Sequence, residues 1–335
     1  MSLSTNANIF SLSLRNYFKQ QTIPTNLPIA FTINDKHLAL DDNKSITITQ
    51  QTLVVFDNLP LADLLTLQTN CHLNIDALLA INTRNNQTSY RFNIRCKDFV
   101  KSRQALAHFA LDKKIEAALI QQVPKLNEPG LLVMDMDSTT IEIECIDEIA
   151  KLAGVGKQVS AVTELAMQGK LDFAQSLHQR VATLANAPEQ ILVDVAKNIP
   201  LMAGLTTLIA ELKKNNWRIA VASGGFTYFA DHLKNLLDLD ATFANVLEIQ
   251  NGKLTGKVLG GVVDAQVKAD SLTLLAKQYN IPTSQTVAMG DGANDLVMMA
   301  AANFGVAFHA KPIVLAQADS SINNQGLDCL LHWLA

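Results

Sequence analysis

Four aspartates stand directly after two apolar segments of the chain. Asp135 and Asp137 follow the apolar residues 131–134, and Asp291 and Asp295 follow a second apolar run. Four carboxylates in one crevice would repel one another unless a cation lay among them, and oxygen ligands without nearby His or Cys favour a hard ion such as Mg²⁺. Alternatively, each aspartate caps a helix or forms a turn, which is competitive for any one of them but a poor account of all four.

The elements that must position these aspartates are strands of a parallel sheet. Strand-like and helical segments alternate after residue 131, which predicts an α/β fold with a doubly wound parallel sheet. Ligands of such sheets bind at the carboxyl ends of the strands. A third strand is predicted over 217–222 and ends in Ser223, Gly224 and Gly225. We therefore expect three strand ends to bring acidic and hydroxyl side chains to one edge.

The Ser223-Gly224-Gly225 segment precedes a helical pattern. Glycine lets a ligand approach the backbone closely, and the free N–H groups at the start of a helix can bind phosphate. An ordinary helix cap with a tight turn explains the same residues equally well. The segment by itself therefore leaves both interpretations open.

The character of the chain changes near residue 125. The first 100 residues contain no Glu, and the alternating runs 45–49 and 90–94 are typical of half-buried strands. A helical pattern extends from about 101 to 122, and a linker-like segment follows. We predict a small N-terminal α+β domain over residues 1–125 that carries no recognisable chemistry.

The remaining residues, 126–335, are predicted to form the α/β domain. Residues 157–200 have a purely helical pattern that interrupts the alternation of strands and helices. This pattern predicts a helical cap inserted at about 153–203, outside the sheet.

Composition limits the classes of protein that fit. Hydrophobic residues make up 48% of the 335 residues, and the net charge is −4, which argues against a disordered chain and against a nucleic-acid binder. No apolar run approaches the ~20 residues that span a bilayer, and the N-terminus has no basic region before an apolar run. The four cysteines lack the spacing of a disulfide framework or a zinc site. We expect a cytoplasmic protein with reduced thiols and without nucleic-acid or membrane partners.

Three motifs together resemble the haloacid-dehalogenase-like (HAD-like) phosphohydrolases. They are DMDST from Asp135, VASGG ending at Gly225, and GDGAND from Gly290. Within that family, residues 131–330 are similar to the phosphoserine phosphatases, and the N-terminal part resembles the ACT-like extension of some bacterial members. The resemblance implies a HAD-like doubly wound sheet with a helical cap, and a phosphoserine substrate whose hydrolysis is the last step of L-serine biosynthesis.

The resemblance also implies catalytic roles. Asp135 would attack phosphorus and form an aspartyl-phosphate, while Asp137 would act first as acid and then as base. Lys268 would bind the phosphoryl group and offset the charge of Asp135. Mg²⁺ would be held by the carboxylates of Asp135 and Asp291 and the backbone carbonyl of Asp137, with Asp295 beside these ligands.

The substrate-binding roles follow from the same resemblance. Ser223 and Gly224 would contact the phosphoryl oxygens together with Lys268. Glu144 and Arg180 would contact the amino and carboxylate groups of the substrate, and Asn294 would border it. From spacing alone, Glu144 and Arg180 would be read as a solvated helix face. Met167 and Phe173 match apolar lid positions of the family, although core packing explains them equally well.

Other readings stay open. A phospho-acceptor signalling domain also places Asp, Ser or Thr, and Lys at the edge of a parallel sheet, but it needs no helical cap. A phosphatase or phosphotransferase for another small phosphometabolite would use the same core. The N-terminal domain could also make the chain a ligand-regulated or scaffold protein, and a homodimer is left open.

Overall fold

The chain folds around two sheets. The computed structural model describes residues 9–23, 26–34, 37–167 and 170–335. The strands are β1 (Ile29–Asn34), β2 (His37–Asp41), β3 (Gln51–Phe56), β4 (Leu73–Arg84), β5 (Gln87–Cys96), β6 (Ala117–Gln121), β7 (Leu131–Met134), β8 (Arg218–Phe226), β9 (Ala241–Gln250), β10 (Lys253–Leu259), β11 (Thr286–Gly290), β12 (Phe304–Phe308) and β13 (Ser320–Ile322).

Helices surround both sheets. They are α1 (Leu14–Lys19), α2 (Leu61–Asn70), α3 (Phe99–Lys113), α4 (Cys145–Leu152), α5 (Gly156–Met167), α6 (Phe173–Ala182), α7 (Gln190–Ala196), α8 (Leu205–Lys214), α9 (Thr227–Leu237), α10 (Ala265–Gln278), α11 (Leu296–Ala301), α12 (Pro312–Leu315) and α13 (Leu330–Trp333). Among the described residues, no helix combines the length and the apolar composition that a membrane crossing requires.

The C-terminal sheet has the predicted parallel arrangement. Its strand order is β10-β9-β8-β7-β11-β12-β13, and only the β9–β10 hairpin at its edge is antiparallel. Strand β7 lies between β8 and β11 and is buried along its whole length, which explains its uninterrupted apolar sequence. Because these three neighbours are parallel, the segments that follow them leave the sheet at one edge.

Helices α4 to α8 fill the connection between β7 and β8. The purely helical pattern of residues 157–200 is thus confirmed as local structure, while the description of 153–203 as an inserted cap stays a prediction. The side chain of Met167 lies outside the described residues, whereas Phe173 begins α6 and packs at the edge of the large core.

The N-terminal sheet is antiparallel throughout, with the order β2-β1-β4-β5-β3-β6. From β3 to β6 the chain runs strand, helix, strand, strand, helix, strand, which is the split βαβ arrangement. The likeness of this region to an ACT domain stays a prediction, as do the domain limits 1–125 and 126–335.

Two local predictions in this region are wrong. Residues 45–49 pair with no strand in the described part of the chain, because the Asn93 side chain binds their backbone at Thr47 O and Thr49 N. The helix predicted to reach residue 122 ends at Lys113, where Lys114 turns into the left-handed region with φ 53°. Strand β6 follows, because its apolar residues are buried on both faces.

The two sheets share an apolar contact through β3. Leu53 and Val55 point into the N-terminal core, whereas Val54 and Phe56 point into the core of the C-terminal sheet. Alternate residues of a strand face opposite sides, so a strand covered on both sides needs a continuous apolar sequence. The N-terminal sheet is therefore built into the molecule rather than tethered beside it.

Candidate active site

Asp135 leaves the end of β7 and is 6% exposed. Its backbone N–H donates to the Met289 carbonyl at 2.9 Å, and its carbonyl accepts from Thr140 Oγ1 at 2.5 Å. Carboxylate Oδ1 accepts from the Met136 N–H at 2.7 Å and lies 2.9 Å from Lys268 Nζ. The backbone and one carboxylate oxygen are thus fixed, while the side chain borders the cavity described below.

Lys268 joins two of the predicted aspartates. It lies in α10, is 1% exposed, and places Nζ 2.9 Å from Asp135 Oδ1 and 2.7 Å from Asp295 Oδ1. Burial alone would lower the pKa of this lysine, but the two carboxylates raise its pKa above the usual value. The ammonium group therefore stays charged beside Asp135.

Asp295 is fully buried and already has partners for both oxygens. Oδ1 accepts from Lys268, and Oδ2 accepts from the Gly292 N–H at 3.0 Å. Burial is the main cause that raises the pKa of Asp295, and Asp135 adds to it, while Lys268 acts in the opposite direction. A Cβ at position 290 would lie 2.3 Å from this carboxylate, so Gly290 is required for the approach.

The predicted metal-binding carboxylates come together. Oxygens of Asp135, Asp291 and Asp295 all lie within 4.8 Å of one another. Thr139 Oγ1 donates to Asp291 Oδ1 at 3.3 Å, and burial with the nearby charges of Asp135 and Glu144 raises the pKa of Asp291 to about 6. The group is an acidic cluster whose donors are all oxygen, as a hard cation requires.

Asp137 lines the same cavity as Asp135. Its Oδ1 accepts from the Cys145 N–H at 3.2 Å, and a Cβ at Gly225 would lie 2.8 Å from Oδ2. Burial is the largest cause that raises the pKa of Asp137 to about 8, followed by the charges of Glu144 and Asp135. This carboxyl group can therefore hold a proton near neutral pH.

The Ser223-Gly224-Gly225 segment forms the end of β8. Ser223 is 1% exposed, and its Oγ accepts from the Gly225 N–H at 2.8 Å. The Asn245 side chain donates to the Gly224 carbonyl at 2.8 Å, which holds the end of the strand. A Cβ at Gly224 would lie 2.5 Å from the Phe173 ring, so this glycine permits helix α6 to close over the strand end.

One cavity of about 500 Å³ collects these residues. Of the predicted site residues, those that line it are Asp135, Asp137, Glu144, Arg180, Ser223, Gly224, Asp291 and Asn294. Lys268 and Asp295 lie behind the wall, in contact with Asp135 and with each other. The sequence-predicted site is thus assembled in one place.

Glu144 and Arg180 carry opposite charges into the cavity. Ser138 Oγ donates to Glu144 Oε1 at 2.8 Å, while desolvation by the surrounding protein raises the pKa of Glu144. Arg180 comes from α6, and desolvation lowers its pKa, although Asp147 and Glu144 act in the opposite direction. The buried Nε of Arg180 has no hydrogen-bond partner among the described residues. Arg180 therefore brings a guanidinium group to the cavity wall.

Sequence reasoning missed other residues of the cavity wall. They are Ile146, Asp147, Thr163, Leu177, Phe226, Gly292, Ala293, Lys311 and Ile313. Lys311 directly precedes α12. The segment after β12 gives no local signal of its approach to the cavity, because that approach depends on how the segment packs. Asp147 had one weak signal, since it lies one helical turn after Glu144.

A family model described as haloacid dehalogenase-like hydrolase matches residues 130–303, which contain Asp135, Lys268 and Asp291. The chain belongs to this family.

Two relatives indicate which members of the family the chain resembles in sequence: both are phosphoserine phosphatases. The phosphoserine phosphatase of Vibrio cholerae serotype O1 is 60% identical over 214 residues, which are 64% of this chain and 65% of that protein. The phosphoserine phosphatase of Haemophilus influenzae is 56% identical over 238 residues, or 71% of this chain and 74% of that one.

Solved structures of phosphoserine phosphatases are also similar to this chain. A probable phosphoserine phosphatase from Vibrio cholerae, in unliganded form, superposes with a TM-score of 0.72 at 47% identity, over 85% of this chain and 86% of that one. A substrate-bound phosphoserine phosphatase has a TM-score of 0.59 at 40% identity, over 62% of this chain and 99% of that one. The Vibrio cholerae sequence match spans just under two thirds of that relative's own length. The chain thus groups with the phosphoserine phosphatases of this hydrolase family.

Proposed function

We propose that this chain hydrolyses O-phospho-L-serine to L-serine and phosphate through an aspartyl-phosphate at Asp135, the last step of L-serine biosynthesis. The observation that carries the proposal is the Asp135 carboxylate at the cavity wall, held 2.9 Å from the buried Lys268 ammonium. The phosphoserine phosphatases of Vibrio cholerae and Haemophilus influenzae, at 60% and 56% identity, support the choice of substrate.

Asp135 acts as the nucleophile. Both described contacts of its carboxylate are made to Oδ1, which leaves Oδ2 to attack phosphorus. As the Oδ2–P bond forms, the bond from phosphorus to the seryl oxygen breaks on the opposite side. Lys268 stabilises the negative charge of Asp135 and of the phosphoryl oxygens near it.

Asp137 acts as the acid and then as the base. It donates a proton to the departing seryl oxygen, so L-serine leaves with a neutral hydroxyl group. The resulting carboxylate then accepts a proton from the water that attacks phosphorus, which releases phosphate and restores Asp135. Its position beside Gly225 and under the Cys145 N–H supports these roles, because both contacts hold the carboxyl group at the cavity.

Mg²⁺ is the cation that the oxygen donors fit best. The carboxylates of Asp135 and Asp291 and the backbone carbonyl of Asp137 would hold it, and Asp295 would orient Lys268 rather than bind the ion, because both its oxygens are hydrogen-bonded. A bound Mg²⁺ would supply positive charge to a phosphoryl oxygen and so stabilise the transition state.

The remaining residues select the substrate. Arg180 binds the carboxylate of phosphoserine, since it lines the cavity and guanidinium groups bind carboxylates with two hydrogen bonds. Glu144 binds the ammonium group, and Asn294 borders the same space. Ser223 and the Gly224 N–H contact the phosphoryl oxygens.

The direct test is phosphate release from O-phosphoserine, with Mg²⁺ and with EDTA. We expect turnover that needs Mg²⁺ and that is lost with EDTA. Turnover of a sugar phosphate without turnover of phosphoserine would instead assign the chain to another phosphometabolite, which is the alternative that the same core allows. The four free cysteines support a reducing compartment, so we place the enzyme in the cytoplasm.

A further inference from the structure

The cavity contains a cation to which no role has been assigned. The ionisable groups that line it are Asp135, Asp137, Glu144, Asp147, Asp291, Arg180 and Lys311. Carboxylates therefore outnumber cations, although phosphoserine carries both a phosphate and a carboxylate. Lys311 is exposed, and no hydrogen bond or ion pair occupies its side chain among the described residues. It is thus free to bind an anionic ligand.

Lys311 sits on a segment with a defined backbone. His309 adopts the left-handed region with φ 45°, and Pro312 begins α12 directly after Lys311. The His309 N–H donates to the Ile322 carbonyl at 2.9 Å, and its Nε2 donates to the Gln325 carbonyl at 2.9 Å. The course of the chain at Lys311 therefore depends on where residues 322–325 lie.

Residues 323–325 are held by the N-terminal sheet. Glu116, between α3 and β6, is 6% exposed, and its carboxylate accepts the backbone N–H groups of Asn323 and Gln325 at 3.0 Å each, together with that of Asn324. A carboxylate that accepts several N–H groups holds a turn firmly, because charge-assisted hydrogen bonds are the strong ones. Gln325 thus donates its N–H to Glu116 and accepts a hydrogen bond from His309 at its carbonyl.

We propose that Lys311 binds the anionic groups of the substrate and that the N-terminal sheet positions Lys311 through Glu116, residues 323–325 and His309. The proposal rests on the proposed function, because it adds a substrate contact to the same cavity. It gives the N-terminal sheet a role as a positioning element for one wall of the site. Lys311 would be a binding residue and Glu116 a positioning residue.

The test is a double-mutant cycle in the full-length protein. Lys311→Met should raise KM for O-phosphoserine about tenfold while kcat stays within about twofold, because the lost contact is made with bound substrate and transition state alike. Lys311→Arg keeps the charge and should restore KM. Glu116→Gln should raise KM about threefold, and the double variant should equal Lys311→Met alone.

Two matched controls separate positioning from general destabilisation. Arg103→Gln removes an ion pair between α3 and the residue before β13, Arg103 with Asp319 at 2.7 Å, and should lower thermal stability without changing KM. Lys277→Met removes an exposed lysine outside the cavity and should change neither quantity. An unchanged KM in Lys311→Met, or multiplied effects in the double variant, would overturn the proposal.

The wild-type assay distinguishes this failure from failure of the proposed function. If the wild type hydrolyses O-phosphoserine but the cycle gives either contrary result, only the positioning role is wrong. If the wild type hydrolyses a different phosphomonoester, the substrate assignment is wrong, and the same KM comparison on that ester still decides the role of Lys311. If it hydrolyses none, both are wrong.

Discussion

Buried charges serve different ends in the two sheets. In the C-terminal sheet, Asp135, Lys268 and Asp295 contact one another beside an open cavity. In the N-terminal sheet, Arg91 is 9% exposed, and its guanidinium donates to the carbonyls of His332, Trp333 and Leu334 at 2.6 to 3.0 Å. The charges of the C-terminal sheet lie beside a cavity that can hold a ligand. The charge of Arg91 is instead hydrogen-bonded to backbone carbonyls.

This difference separates chemistry from docking. Arg91 donates to carbonyls at the end of the last helix, and Glu116 accepts from N–H groups of residues 323–325. Carbonyls at the end of a helix have no partner within the helix, so they need a donor from elsewhere. Burial of a charge is costly, so each charge needs a compensating partner. Where the partners are backbone groups, the charge joins two parts of the fold, and where they are other charges at a cavity, the charge is available for a reaction.

The largest effect is expected at Asp135. Asp135→Asn should lower kcat for phosphoserine at least about 10³-fold, because an amide is a poor nucleophile and a poor ligand for a cation. The fold should persist, since Lys268 keeps Asp295 as a partner. Steady-state kinetics and circular dichroism measure both quantities.

Asp57→Asn is the matched control for Asp135. Asp57 is also a buried carboxylate, 7% exposed, but it pairs with Arg15 in the N-terminal part. Its replacement should leave kcat/KM within about twofold of wild type. If Asp135→Asn kept its rate, or if both variants lost their rate equally, the buried charges of the two sheets would not differ in function.

A large effect on stability is expected at Arg91. Arg91→Met should lower the free energy of unfolding by about 3 kcal/mol, because the carbonyls of His332 and Trp333 lose their donor and that of Leu334 keeps only Arg84. Urea denaturation followed by fluorescence measures the change. Arg95→Met, on the same strand but with an exposed side chain paired to Asp76, is the control and should change the midpoint little. Equal midpoints for the two variants would show that Arg91 does not join the sheets.

His332 should make stability depend on pH. It is 1% exposed, with Nδ1 2.8 Å from Ser89 Oγ, and burial lowers its pKa from 6.5 to about 4; Arg84 and Arg91 act in the same direction, while the Arg84 carbonyl and Asp57 act against it. The unfolded state therefore binds more protons between these two values. The neutral His332 side chain therefore contributes to the free energy of unfolding above pH 6.5. This contribution, up to about 3 kcal/mol, is lost as the pH falls toward 4.

The measurement for His332 is the free energy of unfolding between pH 7.5 and 4.5, for wild type and for His332→Gln. The difference in slope isolates His332 from other titrating groups at the interface, such as Glu116. The variant should lose less stability than wild type as the pH falls. Parallel pH profiles would contradict burial of a neutral histidine between the sheets.

A smaller effect is expected at Arg180. Arg180→Ala should lower kcat/KM for phosphoserine about 30-fold more than kcat/KM for phosphoethanolamine, which lacks the carboxylate. The reason is that the variant loses a charge-assisted hydrogen bond with phosphoserine but none with phosphoethanolamine. Kinetics with both substrates give the ratio. An equal loss on both would mean that Arg180 does not bind the carboxylate.

The sequence predicted much of the site because its signals are local. Apolar runs identified β7, β8 and β11, and the rule that ligands bind at the carboxyl ends of parallel strands brought Asp135, Ser223 and Asp291 together. Glu144 and Arg180 needed the family resemblance, since their spacing alone is that of a solvated helix face. Their positions depend on how helices α4 and α6 fold back over the sheet.

The sequence by itself determined the order of strands and helices from residue 131 to 308 and the chemical character of the strand ends, because both follow from hydrophobic period and from residues next to one another in the chain. It did not predict strand β13, which is only three residues long. Only the tertiary structure decided that Lys311 reaches the cavity and that Arg91, Glu116 and His332 join the N-terminal part of the chain to residues 323–334. These contacts link residues up to 248 positions apart, and no local pattern encodes such a distance. The one trace was the unbroken apolar run of β3, which is buried on both faces because the two domains pack against it.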